Sequence, residues 1–178
     1  MYSKPCLFLD RDGIINHDIG YASKPEQMQF IPGIFSLCRF FQRHGYAIII
    51  VTNQSGIARG YYSVEQFHQL SAWLSAQFLI RGVRISDTFF CPHHPSITGP
   101  CSCRKPAPGM LLQAIAQYRI DPSRSIMIGD KESDMQAGLN AGIGCNIRID
   151  KDHVQYRNHS VADITLKRVA QIRSLFTN

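Results

Sequence analysis

The chain has 178 residues, of which 44% are hydrophobic and 18% are charged, a composition that is typical of globular proteins and excludes intrinsic disorder. The longest apolar run, residues 47–51, is too short to cross a bilayer and the first residues do not resemble a signal peptide, so we expect a cytoplasmic protein. The formal charge of +6 indicates an anionic partner. Because the basic residues are scattered, a small anion is favoured over nucleic acid or a membrane surface.

Short apolar runs alternate with segments of helical periodicity along the chain. In chain order they predict a strand at 6–9, a helix at 33–44, a strand at 47–51, a helix at 63–80, a strand at 85–90, a helix at 110–118, a strand at 125–128, a helix at 133–141, strands at 145–149 and 163–166, and a helix at 169–176. Such alternation is typical of a mostly parallel sheet with helices on both faces. We therefore predict a single doubly wound, Rossmann-like α/β domain over residues 1–178.

Polar clusters follow three of the predicted strands directly: residues 10–12, residues 52–55 and residues 129–130. Parallel sheets of this kind bind ligands beyond the carboxyl ends of their strands, so these clusters are expected to line one site. Asp10 and Asp12 are two residues apart and repel each other unless a cation lies beside them. Asp130 adds a third carboxylate, and hard oxygen ligands suit Mg²⁺. The alternative is that these aspartates only cap the turns that follow the strands.

These clusters occur in the order of the four motifs of the haloacid dehalogenase (HAD) phosphatase superfamily: Asp10-Arg11-Asp12-Gly13, Thr52, Lys105, and Gly129-Asp130 with Asp134. Within it, the chain resembles the D-glycero-D-manno-heptose 1,7-bisphosphate 7-phosphatases. The segments that carry the resemblance are VTNQSGIARG (51–60), CPHHP (91–95), CSCRKPAPGML (101–111) and GDKESDM (129–135). The resemblance covers nearly the whole chain and implies a HAD-like fold with a short zinc loop and no large cap domain.

The resemblance also implies catalytic roles. Asp10 is expected to attack phosphorus and form an aspartyl-phosphate, while Asp12 protonates the leaving sugar oxygen and then deprotonates the hydrolytic water. Asp10, the backbone carbonyl of Asp12 and Asp130 are expected to hold Mg²⁺. Thr52 and Lys105 are expected to bind the phosphoryl oxygens.

Further residues are expected to contact the substrate. Arg104 would recognise its far end and Lys131 would also touch it, while Arg59 is either a contact to a second phosphate or a solvated loop charge. Asp134 would fix either Lys105 or a metal-bound water. The remaining expected contacts are Asp18, Ile19, Gly20, Tyr21, Asn53, Gln54 and Ser55.

The segment 91–103 contains two closely spaced pairs of metal-ligating residues, Cys91 with His93 and Cys101 with Cys103. Three thiolates and one imidazole form a closed tetrahedral set that is typical of structural zinc. His94 could replace His93, but the Cys-x-His spacing matches the family. The zinc would have no chemical role and would hold the loop that continues into Arg104.

The resemblance therefore predicts a monomeric, Mg²⁺-dependent enzyme that removes the 7-phosphate of the heptose bisphosphate during synthesis of ADP-heptose for lipopolysaccharide. The first alternative is a histidinol-phosphate phosphatase, because the loop at residues 94–100 is as short as in that type of enzyme. A remote alternative is a non-catalytic zinc-loop module that binds nucleic acid. The dispersed charge and the lack of interleaved aromatic and basic residues argue against that module.

Overall fold

The computed structural model describes residues 4–151 and 160–177. Its strands are β1 (Cys6–Leu9), β2 (Ala47–Asn53), β3 (Asp87–Cys91), β4 (Ile126–Gly129), β5 (Cys145–Ile149) and β6 (Ile164–Leu166). They form one sheet in the order β3-β2-β1-β4-β5-β6, and every neighbouring pair is parallel. This order confirms the predicted doubly wound topology. The two directions of winding diverge at β1, which is where such sheets form their ligand crevice.

Helices connect the strands. The α-helices are α1 (Ile34–Arg43), α2 (Val64–Ile80), α3 (Pro95–Thr98), α4 (Gly109–Tyr118) and α5 (Glu132–Asn140), and 3₁₀ turns occupy Pro25–Gln27, Pro122–Arg124 and Val169–Leu175. The last predicted helix is therefore a 3₁₀ segment. The short helix α3 was not predicted, because the proline-, cysteine- and histidine-rich sequence around it has no apolar periodicity.

The central strands alternate their side chains between two apolar cores. Leu7 and Leu9 of β1 face a core formed with α1, α2 and the final 3₁₀ segment. Cys6 and Phe8 face a second core formed with α4 and α5. Both faces of β1 are fully buried, which explains why its sequence is a continuous apolar run.

No additional domain is inserted between the strands within residues 4–151 and 160–177. In the same ranges, no helix combines the length and apolar character that a membrane span requires.

Candidate active site

The carboxyl ends of β1, β2 and β4 border a cavity of about 440 Å³. It is lined by Asp10, Asp12, Asp18, Gly20, Tyr21, Thr52, Asn53, Gln54, Ser55, Tyr62, Arg104, Lys105, Lys131, Ser133 and Asp134. Two of the three predicted polar clusters, residues 10–12 and 52–55, contribute to this lining. Gly129 and Asp130 of the third cluster are not among the lining residues, and β4 is represented there by Lys131, Ser133 and Asp134, which follow it. Two expected contacts are absent from the lining: Ile19, whose side chain is half exposed, and Arg59.

Lys105 is buried between two carboxylates. Its Nζ lies 2.8 Å from Asp10 Oδ1 and 2.6 Å from Asp134 Oδ1, and it also donates to the Val51 carbonyl at 2.8 Å. Burial alone would lower the pKa of Lys105, but the charges of Asp10 and Asp134 outweigh burial and raise the pKa above its ordinary value. Lys105 is therefore a fixed cation beside Asp10.

Asp10 is almost completely buried at the end of β1, where its backbone N–H donates to Ile128 of β4. Burial raises the pKa of Asp10 to about 7, against the opposing effect of the Lys105 charge. An ion pair with a fixed ammonium favours the ionised, nucleophilic form of the carboxylate.

Asp10, Asp130 and Asp134 bring carboxylate oxygens within 4.8 Å of one another. Both oxygens of Asp134 are engaged, one with Lys105 and one with the backbone N–H of Lys131. Asp130 Oδ1, in contrast, is buried without a hydrogen-bond partner in the described part of the chain. Burial raises the Asp130 pKa to about 6. An unpartnered buried carboxylate oxygen beside Asp10 fits a hard cation such as Mg²⁺.

The absence of a side chain at Gly13 leaves room for the Asp130 carboxylate. A Cβ at position 13 would overlap the Asp130 carboxylate, and the φ of +93° at Gly13 belongs to the left-handed region that favours glycine. The glycine of the first motif therefore allows β1 and β4 to bring their carboxylates together.

Asp12 is held by three side chains. Arg11 donates to both Asp12 oxygens at 2.8–3.2 Å, Asn16 Nδ2 donates to Oδ1 at 2.9 Å, and Gln54 Nε2 donates to Oδ2 at 3.2 Å. Arg11 and Asn16 are buried, and no role for either was predicted from the sequence. The polar Asn16 directly after Ile14 and Ile15 was a signal of a buried hydrogen bond that could have been recognised.

Residues at the end of β2 organise the opposite side of the cavity. Thr52 Oγ1 accepts a 2.8 Å hydrogen bond from Gln54, so the Thr52 hydroxyl keeps its own proton to donate. Asn53 exchanges two hydrogen bonds of 3.1 Å with the backbone of Lys105. Its amide therefore attaches the Lys105 loop to β2.

Basic residues lie at the outer part of the site. Arg104 lines the cavity and donates to the carbonyl of His93 at 3.1 Å. Lys131 forms an exposed 3.2 Å ion pair with Asp18. Burial works to raise the pKa of Asp18, but the Gly20 N–H and the Lys131 charge outweigh it and lower the pKa. Arg59 is exposed, and its guanidinium lies 2.8 Å from the His94 ring.

Cys91, His93, Cys101 and Cys103 form the second cluster of ligating side chains. Their ligand atoms lie within 4.8 Å of one another, and the sulfur–sulfur distances are 3.1–3.6 Å. Zn–S bonds of about 2.3 Å in a tetrahedron place sulfur atoms roughly 3.8 Å apart, so the cluster has nearly the dimensions of a zinc site. Burial raises the pKa of Cys101, but the Arg104 N–H and neighbouring donors outweigh it and lower the pKa to about 7.

The chain is similar to several known proteins. The model of the HAD-hydrolase-like family matches residues 102–146. The D-glycero-beta-D-manno-heptose-1,7-bisphosphate 7-phosphatase of Yersinia pestis is 43% identical over 176 residues, covering 96% of this chain and 94% of its own. The D-glycero-alpha-D-manno-heptose-1,7-bisphosphate 7-phosphatase of Campylobacter jejuni is 48% identical over 146 residues, covering 82% and 83%.

A solved structure extends the comparison to three dimensions. The D,D-heptose 1,7-bisphosphate phosphatase from B. bronchiseptica, complexed with magnesium and phosphate, superposes with a TM-score of 0.85 at 25% identity and covers 97% of both chains. Together with the doubly wound parallel sheet, these similarities identify the chain as a HAD-like phosphomonoester hydrolase. The chain belongs to the D-glycero-D-manno-heptose-1,7-bisphosphate 7-phosphatase family.

Proposed function

We propose that this protein hydrolyses the 7-phosphate of D-glycero-D-manno-heptose 1,7-bisphosphate through an aspartyl-phosphate on Asp10. The observation that carries the chemistry is the buried Asp10 carboxylate, 2.8 Å from the Lys105 ammonium, beside the cavity. An ionised carboxylate is the nucleophile that this intermediate requires, and a preorganised cation stabilises charge on the transferring phosphoryl group.

Two proton transfers by Asp12 complete the reaction. As an Asp10 oxygen bonds to phosphorus, the bond from phosphorus to the sugar oxygen breaks, and Asp12 gives that oxygen its proton. In the second step, Asp12 takes a proton from water, whose oxygen attacks phosphorus and releases inorganic phosphate and the Asp10 carboxylate. The contacts of Asp12 with Arg11, Asn16 and Gln54 support this role because they fix its carboxylate in the cavity wall.

We propose two metal sites. The carboxylates of Asp10 and Asp130 and the backbone carbonyl of Asp12 would hold Mg²⁺, which the unpartnered oxygen of Asp130 supports. When bound, Mg²⁺ offsets negative charge on the phosphoryl oxygens.

Structural zinc is proposed for the four-residue cluster. The three thiols and one imidazole, at nearly tetrahedral spacing, support this assignment of Cys91, His93, Cys101 and Cys103.

The proposed substrate contacts surround the reacting phosphate. Thr52 would donate its hydroxyl proton to a phosphoryl oxygen, with Ser55 beside it, and Arg104 and Lys131 would meet the far end of the substrate. The proposed sugar contacts are Asp18, Ile19, Gly20 and Tyr21. Arg59 stays either a contact to the second phosphate or a solvated charge.

The substrate assignment is supported by the relatives that are named for heptose bisphosphates. We place the enzyme in the cytoplasm, as a monomer that serves the synthesis of ADP-heptose and lipopolysaccharide.

Phosphate release tests the proposal. With Mg²⁺ present, both anomers of heptose 1,7-bisphosphate and histidinol phosphate are compared under identical conditions, with Asp10→Asn as the inactive control. Preference for a heptose bisphosphate, abolished in the variant, is the expected result. Preference for histidinol phosphate would refute the substrate but keep the chemistry, and activity retained in Asp10→Asn would refute the nucleophile.

A further inference from the structure

Tyr62 lines the cavity, and no role for it was predicted from the sequence. It lies directly before Ser63, the residue that caps the first turn of α2, and only 5% of its surface is exposed. Its ring packs against Gly56, where a Cβ would overlap the ring. A glycine in the loop after β2 therefore allows the ring of a large side chain to lie against the loop.

The Tyr62 hydroxyl donates to Gln54 Oε1 at 2.5 Å. The two N–H groups of the same amide have acceptors in the reaction site, Thr52 Oγ1 at 2.8 Å and Asp12 Oδ2 at 3.2 Å. Gln54 is itself 2% exposed, so all of its amide hydrogen bonds are made inside the protein. The amide thus connects Tyr62 with the groups that are proposed to bind phosphate and to transfer the proton.

We infer that Tyr62 is a positioning residue, which holds the Gln54 amide in the one orientation that directs N–H groups at both Thr52 and Asp12. This inference rests on the proposed function for the roles of Thr52 and Asp12. An amide turned by 180° would direct its oxygen at the Asp12 carboxylate and at the Thr52 oxygen.

The need for a fixed donor follows from the geometry of Gln54. Its amide oxygen accepts from the Tyr62 hydroxyl, and the contact with Gly56 fixes the ring that carries this hydroxyl. Without the hydroxyl, a turned amide would lose no donor to its oxygen, and that oxygen could then lie against the Asp12 carboxylate in place of the N–H group.

Tyr62→Phe removes the donor and keeps the ring that packs on Gly56. We expect kcat to fall about tenfold while KM changes less than threefold, because substrate still binds but Asp12 and Thr52 are less well oriented. Tyr61→Phe is the matched control, since this neighbouring tyrosine is largely exposed, and its kcat should stay at the wild-type value. Equal effects of the two variants would overturn the inference.

A double-mutant cycle separates positioning from a general packing role. If Tyr62 acts through Gln54, then Tyr62→Phe has no further effect on kcat in a Gln54→Ala background. An unchanged tenfold loss in that background would overturn the inference. Gln54→Glu provides a second measurement should Tyr62→Phe fold poorly. It keeps an acceptor for Tyr62 but cannot donate to Thr52 and Asp12 at the same time, so kcat should fall more than tenfold, and an unchanged kcat would also overturn the inference.

These assays use para-nitrophenyl phosphate as well as the heptose bisphosphate. The nitrophenyl ester has no sugar, so it reports on formation and hydrolysis of the proposed aspartyl-phosphate without the contacts to heptose. The Tyr62 effect should appear with both esters, and its presence on the nitrophenyl ester would stand even if the heptose assignment failed.

Discussion

The ammonium of Lys105 has an acceptor for each of its three N–H groups: Asp10, Asp134 and the carbonyl of Val51. Asp134 is therefore placed to fix Lys105, which is one of the two roles that its position in the motif suggested. A lysine anchored in this way keeps its charge beside Asp10 and loses little conformational freedom when a phosphate binds.

Asp134→Asn tests this anchoring. The neutral amide has one acceptor oxygen, so it leaves either Lys105 or the Lys131 N–H without a good acceptor. We therefore expect the free energy of unfolding to drop by about 1–3 kcal/mol and kcat to fall at least tenfold. Urea unfolding and steady-state kinetics measure the two effects. Glu132→Gln on the same helix is the control: its ion pair with Arg148 is partly exposed, so stability should change by less than about 1 kcal/mol. Wild-type kcat in Asp134→Asn would contradict the anchoring role.

Gly13→Ala tests the close approach of β1 and β4. The added methyl group meets the Asp130 carboxylate, and we expect kcat to fall more than a hundredfold. Gly45→Ala isolates the backbone contribution, because φ is +82° there and a Cβ has no neighbour within 4 Å. That control should destabilise the fold by about 1–2 kcal/mol and leave kcat unchanged. Similar kinetics in the two variants would show that space at Gly13 is not required.

At the scale of secondary structure, helix α1 buries Ile34, Leu37, Cys38 and Phe41 against the sheet. The Cys38 thiol is fully buried, and burial raises its pKa well above the value in an unfolded chain. A group with a raised pKa in the folded state contributes full stability below its unfolded pKa, about 8.5, and loses that contribution as pH rises further.

Cys38→Ala should therefore reduce the alkaline sensitivity of the fold. Between pH 7 and pH 9.5, we expect the variant to lose about 1.4 kcal/mol less unfolding free energy than the wild type. In the wild type the Cys38 thiol ionises in the unfolded chain but not in the folded one, and the variant has no thiol at this position. Urea unfolding at a series of pH values measures this difference. Ser36→Ala, on the exposed side of the same helix, should follow the wild-type pH dependence. Parallel curves for Cys38→Ala and wild type would contradict the prediction.

At the scale of the whole molecule, the cysteine–histidine cluster connects the end of β3 to the loop that carries Arg104 and Lys105. Asn53 attaches the same loop to β2 from the other side. Metal binding at the cluster should therefore stabilise the active site as well as the fold, because ordering this loop contributes to both.

Cys101→Ser tests this connection. We expect elemental analysis to find no bound zinc, a lower thermal midpoint of unfolding, and phosphatase activity at least tenfold below wild type that added Mg²⁺ does not restore. Ser102→Ala changes the adjacent residue, which is not a ligand, and should retain zinc and activity. Full activity in zinc-free Cys101→Ser would separate the loop from catalysis.

The predicted strands agree closely with the structure because each is a local pattern of apolar residues bounded by turns. The boundaries move by only a few residues: β2 continues to Asn53, and β3 begins at Asp87 rather than at residue 85. The prediction failed where no periodicity exists, as in α3, and where a helical pattern at the end of the chain forms a 3₁₀ segment. Val169 and Ile172 of this segment lie in the same core as the buried residues of α1, and apolar spacing alone does not distinguish a 3₁₀ segment from an α-helix.

Local sequence is sufficient to predict the parallel sheet, the polar residues at its strand ends and the spacing of the cysteine and histidine residues that are proposed to bind zinc, because each is a property of neighbouring residues. Tertiary packing determines which side chains meet: Lys105 with Asp10, 95 positions away, and Gln54 with both Asp12 and Tyr62. These pairings are hydrogen bonds of 2.5–3.2 Å between side chains that are brought together from separate parts of the chain. Apolar periodicity sets which face of an element is buried, but it does not select the partner of a buried polar group.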